Sequence, residues 1–344
     1  MKYLCFESWR PLDTKFINVG LGTRLRKQQI TIMKYSKASI FILFYCSLGF
    51  GQHLYQQPKS PKNISEIENI IGNLNNKEVS RTRHIVWVYG YDKDHIAGAH
   101  DYVRVKDTMI SLLQEVPNII IEGAFEFPNA AQLDQADLLV MYLHMSKLKQ
   151  KQFDALKAFV SKGGGIISLH ETAIMRPASK GRQLAECLGY AWNEGYSKWG
   201  AIFDSISVNN HHPIFKGFDQ KIFIPDEFYW DLFHQEGTEI LGSVRTGPEG
   251  DSSGPIPKNE LSDKTSPVFW TYGISKGKVF GTTTGHHTFT YFDPEFRIIL
   301  FRAIAWALGE EPDPFMSLVY KGITHAGKVG IQEDLRDWQD KIRE

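Results

Sequence analysis

The segment Gly163-Gly-Gly-Ile-Ile-Ser-Leu-His-Glu-Thr172 gives the clearest structural signal in this sequence. Its glycines end a helical pattern, and the residues from Ile166 to Leu169 predict a buried strand. His170 follows where the strand turns into a helix, at the carboxyl edge of an open α/β sheet, where such sheets bind their ligands. The same strand–turn–helix geometry presents the serine nucleophile of α/β-hydrolases. Because His170 and Glu171 occupy this turn, acyl transfer through a serine or cysteine is not expected.

Strands and helices alternate outward from this segment. Apolar, β-rich runs predict strands at 84–89, 118–122, 137–143, 166–169, 202–208, 239–245, 266–272 and 278–283. Helical spacing occurs at 103–113, at 149–162, through 184–188 and at 294–308. Such alternation is typical of βαβ units, in which helices cover both faces of a parallel sheet. The sequence therefore predicts an α/β fold.

The composition is that of a core-forming globular protein, because 42% of the 344 residues are hydrophobic. This length suits one large or two modest domains. The 39 Lys and Arg residues balance 39 Asp and Glu residues without a basic block, so a nucleic-acid partner is not expected. The sequence contains no CxxC pair, no HExxH motif and no phosphate-binding glycine fingerprint.

The N-terminal region predicts export. A stretch that begins at Met33 places two lysines before the apolar run Ala38–Phe50. This run is shorter than the ~20 residues that span a bilayer, but it suits the core of a signal peptide. Gly49 and Gly51 provide small residues at the −3 and −1 positions and therefore predict cleavage before Gln52. The mature protein is therefore expected to be secreted or periplasmic and to have no transmembrane anchor.

The chain divides by composition into four parts. These are an upstream extension plus signal peptide (1–51, the signal peptide at 33–51), a leader segment (52–83), the main domain (84–309) and a polar C-terminal extension (310–344). The leader segment carries isoleucines at helical spacing from Ile64 to Ile71. We expect this apolar stripe to pack onto the main domain.

The cysteines favour neither a disulfide nor thiol chemistry. A lipoprotein modified at Cys46 is a weaker alternative to the cleaved signal peptide, because bulky Tyr45 stands where a small residue is expected. After cleavage before Gln52, Cys187 is the one cysteine left, so the mature chain cannot form an internal disulfide. Cys187 lies on a helical pattern and is predicted to be a small apolar core residue.

Histidine, carboxylate and tyrosine residues follow the ends of several predicted strands. They are His100, His144, His170, Glu171, Asp226, Glu227, Tyr229, His286 and His287. A parallel sheet brings such strand ends together, and these residue types perform acid–base chemistry or bind metals. The alternative for each histidine alone is an ordinary surface or core residue. Their shared position favours a common pocket.

Taken in order, several motifs resemble the ThuA-like family, which is named for trehalose utilisation. The resemblance covers roughly 84–309 and rests on Asp137–Leu143, Phe159–His170, His212–Gly217, Asp226–Tyr229, Pro267–Trp270, Gly277–Phe280, Gly285-His286 and Phe296–Ala307. It implies a flavodoxin-like, class I glutamine amidotransferase-like three-layer sandwich with a mostly parallel sheet. Amidotransferases have a cysteine where this sequence has His170, so glutaminase activity is not expected. Met141 and Tyr142 stand where some family members have tryptophans, which leaves the substrate open.

The resemblance also implies a link to the catabolism of 3-keto sugars. It implies an exported enzyme that acts on oxidised (3-keto) glycosides by acid–base or metal-assisted cleavage, as a hydrolase or a lyase. The expected catalytic residues are His170, Glu171, Glu227 and Tyr229, the substrate-binding residues are His100, Asp226, Trp199 and His287, and the ligands of a divalent metal (Zn²⁺ or similar) are His144 and His286. The partner is a small carbohydrate, and a homo-oligomer is left open. The alternative is a non-catalytic sugar-binding or interaction protein of a carbohydrate-degradation system.

Overall fold

Residues 62–92, 98–145, 148–248, 255–256 and 258–321 are described by a computed structural model of the chain. The predicted signal peptide, the start of the leader segment and most of the C-terminal extension lie outside the described residues. The helices are α1 (Ile64–Ile71), α2 (Tyr102–Leu113), α3 (Ala130–Gln135), α4 (Gln150–Ser161), α5 (Ala178–Leu188), α6 (Pro294–Leu308) and α7 (Asp313–Met316). The strands are β1 (Arg83–Tyr89), β2 (Ile119–Phe125), β3 (Leu138–Tyr142), β4 (Gly165–Leu169), β5 (Tyr190–Ala191), β6 (Lys198–Ile202), β7 (Ile206–Val208), β8 (Lys221–Ile222), β9 (Asp226–Trp230), β10 (Phe233–His234), β11 (Glu239–Arg245), β12 (Pro255–Ile256), β13 (Thr265–Ile274) and β14 (Gly277–Thr282).

The main sheet has nine strands in the order β2-β1-β3-β4-β14-β13-β11-β7-β8. The five strands from β2 to β14 run parallel, and their order is the one found in flavodoxin-like folds. The remaining four strands extend the sheet in antiparallel fashion. The predicted α/β fold with its mostly parallel, flavodoxin-like sheet is confirmed as a mixed sheet with helices on its faces.

Alternating side chains of the parallel strands fill two separate cores. Ile85 and Trp87 of β1 pack on one side with α2 and α6, whereas Val86 and Val88 pack on the other with α4 and α5. β1, β3, β4 and β14 are buried on both faces, which explains their continuous apolar runs in the sequence, whereas the edge strand β2 is exposed at alternate positions. The result is the predicted three-layer arrangement of helices, sheet and helices.

The predicted strand at 202–208 is wrong as a single element. The structure divides it into β6 and β7, which belong to different sheets. Asp204 lies at the break; its side chain is buried and forms ion pairs with the more exposed Arg245 and Lys258. β6 joins β12 and β9 in a three-stranded sheet, and β9 carries the Asp226–Tyr229 motif.

The leader helix α1 packs into the same core as the main domain. Ile67 and Ile70 are buried, as the stripe predicts, and the Ile70 carbonyl accepts a hydrogen bond from Arg302. Asn63 and Glu66 close the start of α1 with a capping box. None of the helices in the described ranges is both long and apolar enough to cross a membrane.

Candidate functional site

His170 is the centre of a polar cluster at the carboxyl ends of β1, β3, β4 and β14. It begins a 3₁₀ turn directly after β4 with a φ of +49°, a left-handed conformation that residues with a Cβ seldom adopt. Its Nδ1 lies 2.6 Å from the carbonyl oxygen of Thr283, to which it donates. The lone pair of the neutral ring is therefore on Nε2. Burial lowers the pKa of His170 well below its ordinary value, which keeps the ring neutral.

Three side chains approach the Nε2 atom of His170. The hydroxyl of Tyr229 lies 2.7 Å away, Nε2 of His100 lies 3.1 Å away, and a carboxylate oxygen of Glu227 lies 3.8 Å away. Burial raises the pKa of Tyr229 well above its ordinary value, so the phenol stays protonated and donates a hydrogen bond to Nε2 of His170. A buried proton acceptor thus faces a buried proton donor.

His100 and His286 are brought to this point by two joined loops. The main-chain N–H of His100 donates to the carbonyl of His286 at 3.0 Å, and Ala99 forms a β-bridge with His287. Nδ1 of His286 lies 3.0 Å from Nε2 of His100. His100 also has a φ of +49°, the same conformation as His170. Backbone strain of this kind clusters at functional sites.

Glu171 connects His100 to the surface. One oxygen lies 3.2 Å from Nδ1 of His100 and accepts a hydrogen bond from Tyr102, and the other lies 2.6 Å from Nδ1 of His144. Burial raises the pKa of Glu171, but the hydrogen bond from His144 and the charges of His100 and His144 outweigh it and lower the pKa. His144 has a side chain that is 40% exposed, so it forms the outer end of this chain of contacts.

The β9 motif supplies two carboxyl groups with different surroundings. Asp226 is fully buried and accepts hydrogen bonds from the main chain of Gly285 at 2.8 Å and Glu227 at 2.8 Å, and from the Thr290 hydroxyl at 2.8 Å. It therefore holds the loop that carries His286. Burial and the charge of Asp226 raise the pKa of Glu227 to about 8, so Glu227 carries a proton near neutral pH.

Two of the predicted substrate-binding residues lie at the edge of the cluster. Trp199 is half-buried and pairs with Tyr229 across β6 and β9, which places both side chains on the same face of the small sheet. The His287 ring stacks on Phe289 with 4.6 Å between ring centroids. His287 touches the buried part of the site through its main chain, whose N–H lies 3.4 Å from Asp226.

Sequence reasoning missed Asp92 and Tyr102. Asp92 lies 3.1 Å from Nδ1 of His100, and Tyr102 donates to Glu171. Asp92 follows the end of β1 by three residues, so the strand-end rule that selected the histidines also applies to it. Tyr102 is the first residue of α2, and its position shows no comparable signal in the sequence.

Among the residues that the structure describes, two groups of side chains have donor atoms close enough to bind a metal. His100, His170 and His286, below termed the three-histidine group, form one, and Asp92, His100 and Glu171 form the other; within each group the donor atoms lie within 4.8 Å of one another. The predicted metal ligand His286 belongs to the first group. His144 contacts Glu171 instead and belongs to neither.

The site therefore combines a neutral imidazole acceptor, a phenol and a protonated carboxyl group in one buried cluster. These are the components of general acid–base catalysis, since one group removes a proton while another donates one. The three-histidine group adds the option of a bound cation.

Comparison with known proteins places this site in a family. The ThuA model, described as trehalose utilisation, matches residues 92–307. A ThuA-like protein from Bacteroides uniformis ATCC 8492 has a similar structure, with a TM-score of 0.52 and 16% identity over 70% of this chain and 99% of that chain. A ThuA-like protein from Parabacteroides merdae ATCC 43184 also gives a TM-score of 0.52, with 15% identity over 68% of this chain and 91% of that chain. No curated protein matches the chain. The likeness to these structures shows the shared fold, and the matched family model shows that the chain belongs to the ThuA family.

Proposed function

We propose that this protein is an exported carbohydrate-processing enzyme that cleaves oxidised (3-keto) glycosides and has no glutaminase activity. One observation carries the proposal. A proton acceptor, Nε2 of His170, lies 2.7 Å from the hydroxyl of Tyr229 and 3.8 Å from Glu227, a carboxyl group whose pKa of about 8 keeps it protonated. Membership of a family described as trehalose utilisation supports a sugar substrate.

The chemistry of a 3-keto glycoside suits these groups. The ketone at C3 acidifies the proton on C2, so a base can remove that proton and form an enolate. The electron pair then expels the glycosidic oxygen from C1, and that oxygen takes up a proton as its bond to C1 breaks. A pocket for this reaction needs one base, one acid and a donor for the enolate oxygen.

The described residues supply each of these roles. Nε2 of His170 is the base, because its other nitrogen is fixed as a donor to Thr283 and its pKa is low. Glu227 is the acid for the leaving oxygen, since it is the protonated carboxyl of the pocket. Tyr229 donates to the enolate oxygen. His170 follows β4, whereas Glu227 and Tyr229 lie on β9, so an intact fold is needed to bring them together.

Trp199 extends the proposal to the sugar ring. An aromatic face beside Tyr229 offers an apolar platform for the C–H groups of a sugar, and Trp199 is half-buried at that position. The predicted signal peptide and its cleavage before Gln52 complete the proposal of a secreted or periplasmic protein. The N-terminal sequence of the mature protein, recovered from the periplasm of an expressing cell, tests that part.

Turnover of 3-keto glycosides tests the activity. We expect the purified protein to release glucose from 3-keto-trehalose but not from unoxidised trehalose, because only the ketone acidifies C2. Tyr229→Phe should lower the rate at least about 10-fold. His211→Ala is the matched control, because His211 is exposed and outside this cluster. Binding of 3-keto sugars with no release of product would support the non-catalytic alternative.

A further inference from the structure

We propose that His100, His170 and His286 together bind one divalent first-row transition-metal ion, Zn²⁺ or a similar ion, with Glu227 as a fourth ligand. This inference rests on the proposed function for its pocket. With the ion bound, Nε2 of His170 is a ligand and Glu227 has lost its proton, so the roles of base and acid proposed above belong to the metal-free pocket. The inference concerns the ion and its ligands and is tested without any sugar.

The spacing of the ring nitrogens fits a common ion. Nε2 of His100 lies 3.1 Å from Nε2 of His170 and 3.0 Å from Nδ1 of His286. Zn–N bonds of ~2.0 Å separate two ligand nitrogens by about 3.3 Å in tetrahedral geometry and about 2.9 Å in octahedral geometry. The observed separations lie between these values.

The tautomers direct lone pairs into the space between the rings. Nδ1 of His170 donates to the Thr283 carbonyl, so its Nε2 is an acceptor. Nδ1 of His100 faces two carboxylates, Asp92 at 3.1 Å and Glu171 at 3.2 Å, so this nitrogen carries a proton and Nε2 is the ring atom that can bind an ion. Nε2 of His100 and Nε2 of His170 lie 3.1 Å apart and can therefore bind the same ion.

A metal ion can contact all three rings at once, whereas a proton bridges only one pair of nitrogens. A divalent ion accepts the lone pairs of all three imidazoles at once, and the oxygen of Glu227, 3.6 Å from Nδ1 of His286, adds a carboxylate on the same side. Three imidazoles and a carboxylate form a donor set suited to Zn²⁺ and its neighbours in the first row.

The outer contacts resemble those of known metal centres. Histidine ligands of metals donate their second ring nitrogen to a carboxylate or a main-chain carbonyl, which fixes the ring orientation. His100 does so to Asp92 and Glu171, and His170 does so to Thr283. In this scheme His144 acts on the centre only through Glu171 and is not itself a ligand.

The charge of the pocket favours a cation. Glu171, Asp226 and Glu227 all lie within or beside the cluster, and within the described ranges no ion pair joins any of them to Lys or Arg. Glu171 already faces His100 and His144, and an ion at the three-histidine group adds positive charge beside Asp226 and Glu227 as well.

Metal binding to the full chain tests the proposal directly. The protein, stripped with a chelator and exchanged into metal-free buffer, is titrated with Zn²⁺ in a calorimeter and with Co²⁺ under visible absorption. We expect about one ion per chain, an intense Co²⁺ spectrum typical of low coordination number and a rise in melting temperature on addition of Zn²⁺.

Variants distinguish the proposed ligands from their neighbours. His286→Ala and His170→Asn should weaken Zn²⁺ binding at least about 100-fold, whereas His144→Ala and His287→Ala should change it less than about 10-fold. Asn is chosen at position 170 because it tolerates the left-handed backbone. Circular dichroism checks that each variant folds.

The results separate this inference from the proposed activity. If the folded wild-type chain binds neither Zn²⁺ nor Co²⁺ at micromolar concentration, the metal centre is wrong even when 3-keto glycosides are cleaved. If His144→Ala loses the ion as completely as His286→Ala, the ligand set is wrong. Metal binding without cleavage of 3-keto glycosides would support the metal site and contradict the proposed substrate.

Discussion

Glu227 and Glu295 are two buried glutamates with the same pKa shift and very different surroundings. Burial raises the pKa of each to about 8, and each has an aspartate close by in sequence, Asp226 or Asp293, whose charge adds to the shift. Glu227 faces ring nitrogens that come from two other strand ends. Both side-chain oxygens of Glu295, in the first turn of α6, have no hydrogen-bond partner in the part of the chain that the structure describes.

The difference shows that a raised pKa does not by itself identify a functional group. A search for functional residues by raised pKa alone would select both Glu227 and Glu295. The feature that separates Glu227 is convergence, since acceptors and donors from several strands point at the same few ångströms of space. The burial of Glu295 instead lowers the stability of the fold, and its position at the N-terminus of α6 offsets part of that loss.

The largest expected effect comes from comparing a substitution near Glu227 with a substitution at Glu295 in an activity assay. His170→Asn removes the proposed base while keeping the backbone conformation, and we expect kcat/KM on 3-keto-trehalose to fall at least about 100-fold. Glu295→Gln should keep kcat/KM within about twofold of wild type. Steady-state kinetics on both variants checks this, and equal losses in the two would remove the distinction drawn between the regions.

A smaller effect is expected from Asp226→Asn, which tests whether the loop of His286 is held by this carboxylate. The amide can replace only part of the acceptor capacity that serves Gly285, Glu227 and Thr290. We expect the free energy of unfolding to drop by about 2 kcal/mol and KM to rise. Urea denaturation measures the first quantity. Wild-type stability together with wild-type kinetics would show that the loop is held by other contacts.

The smallest effect is the dependence of stability on pH at Glu295. Because its folded pKa is raised from 4.5 to about 8, its protonated form stabilises the folded chain fully below about pH 4.5, and this contribution is lost as pH rises through 8. Glu295→Gln should therefore be more stable than wild type by about 1–2 kcal/mol at pH 8.5 and show little difference at pH 5.

Glu310→Gln is the matched control with the opposite sign. Despite burial, hydrogen bonds from Ser80 and the guanidinium of Arg83 lower the pKa of Glu310, so its contribution is present at neutral pH and is lost as pH falls through its folded pKa. Thermal melts of both variants between pH 4 and pH 9 check the two signs. A wild-type pH profile that Glu295→Gln leaves unchanged would show that water or another group satisfies Glu295.

Much of the fold could be predicted because local patterns carry it. The parallel strands β1, β3, β4 and β14 are buried on both faces, so their apolar runs stand out. The helix α6 begins at Pro294 after the cap Asp293, as its helical spacing indicates. The short pairings β5, β8, β10 and β12 have two residues each, which is too few for any periodicity. Asp204, at the break between β6 and β7, pairs with distant Arg245, a contact that the local sequence does not show.

The candidate site could be predicted as a set of residues but not as an arrangement. Strand ends identified His170 and His286, because parallel strands bring their carboxyl ends to one edge. Glu227 lies instead within β9 of the three-stranded sheet, so the strand-end rule does not account for it. Which nitrogen of His170 is available depends on a main-chain carbonyl, that of Thr283, and a carbonyl has no signature in the sequence. The contact between His144 and Glu171 likewise follows from side-chain geometry.

The insertion of β14 beside β4 determines when this pocket can exist during biosynthesis. Thr283 follows His170 by 113 residues, and His286 follows His100 by 186. A nascent chain that has produced the first four parallel strands contains His170, but it lacks the Thr283 carbonyl that orients the His170 ring and it lacks His286. Contacts of such long sequence separation form late, since the entropy of closing the intervening loop precedes their gain. A chain that ends before β14 therefore lacks the assembled cluster, and formation of the cluster requires that the parallel sheet has been completed through β14.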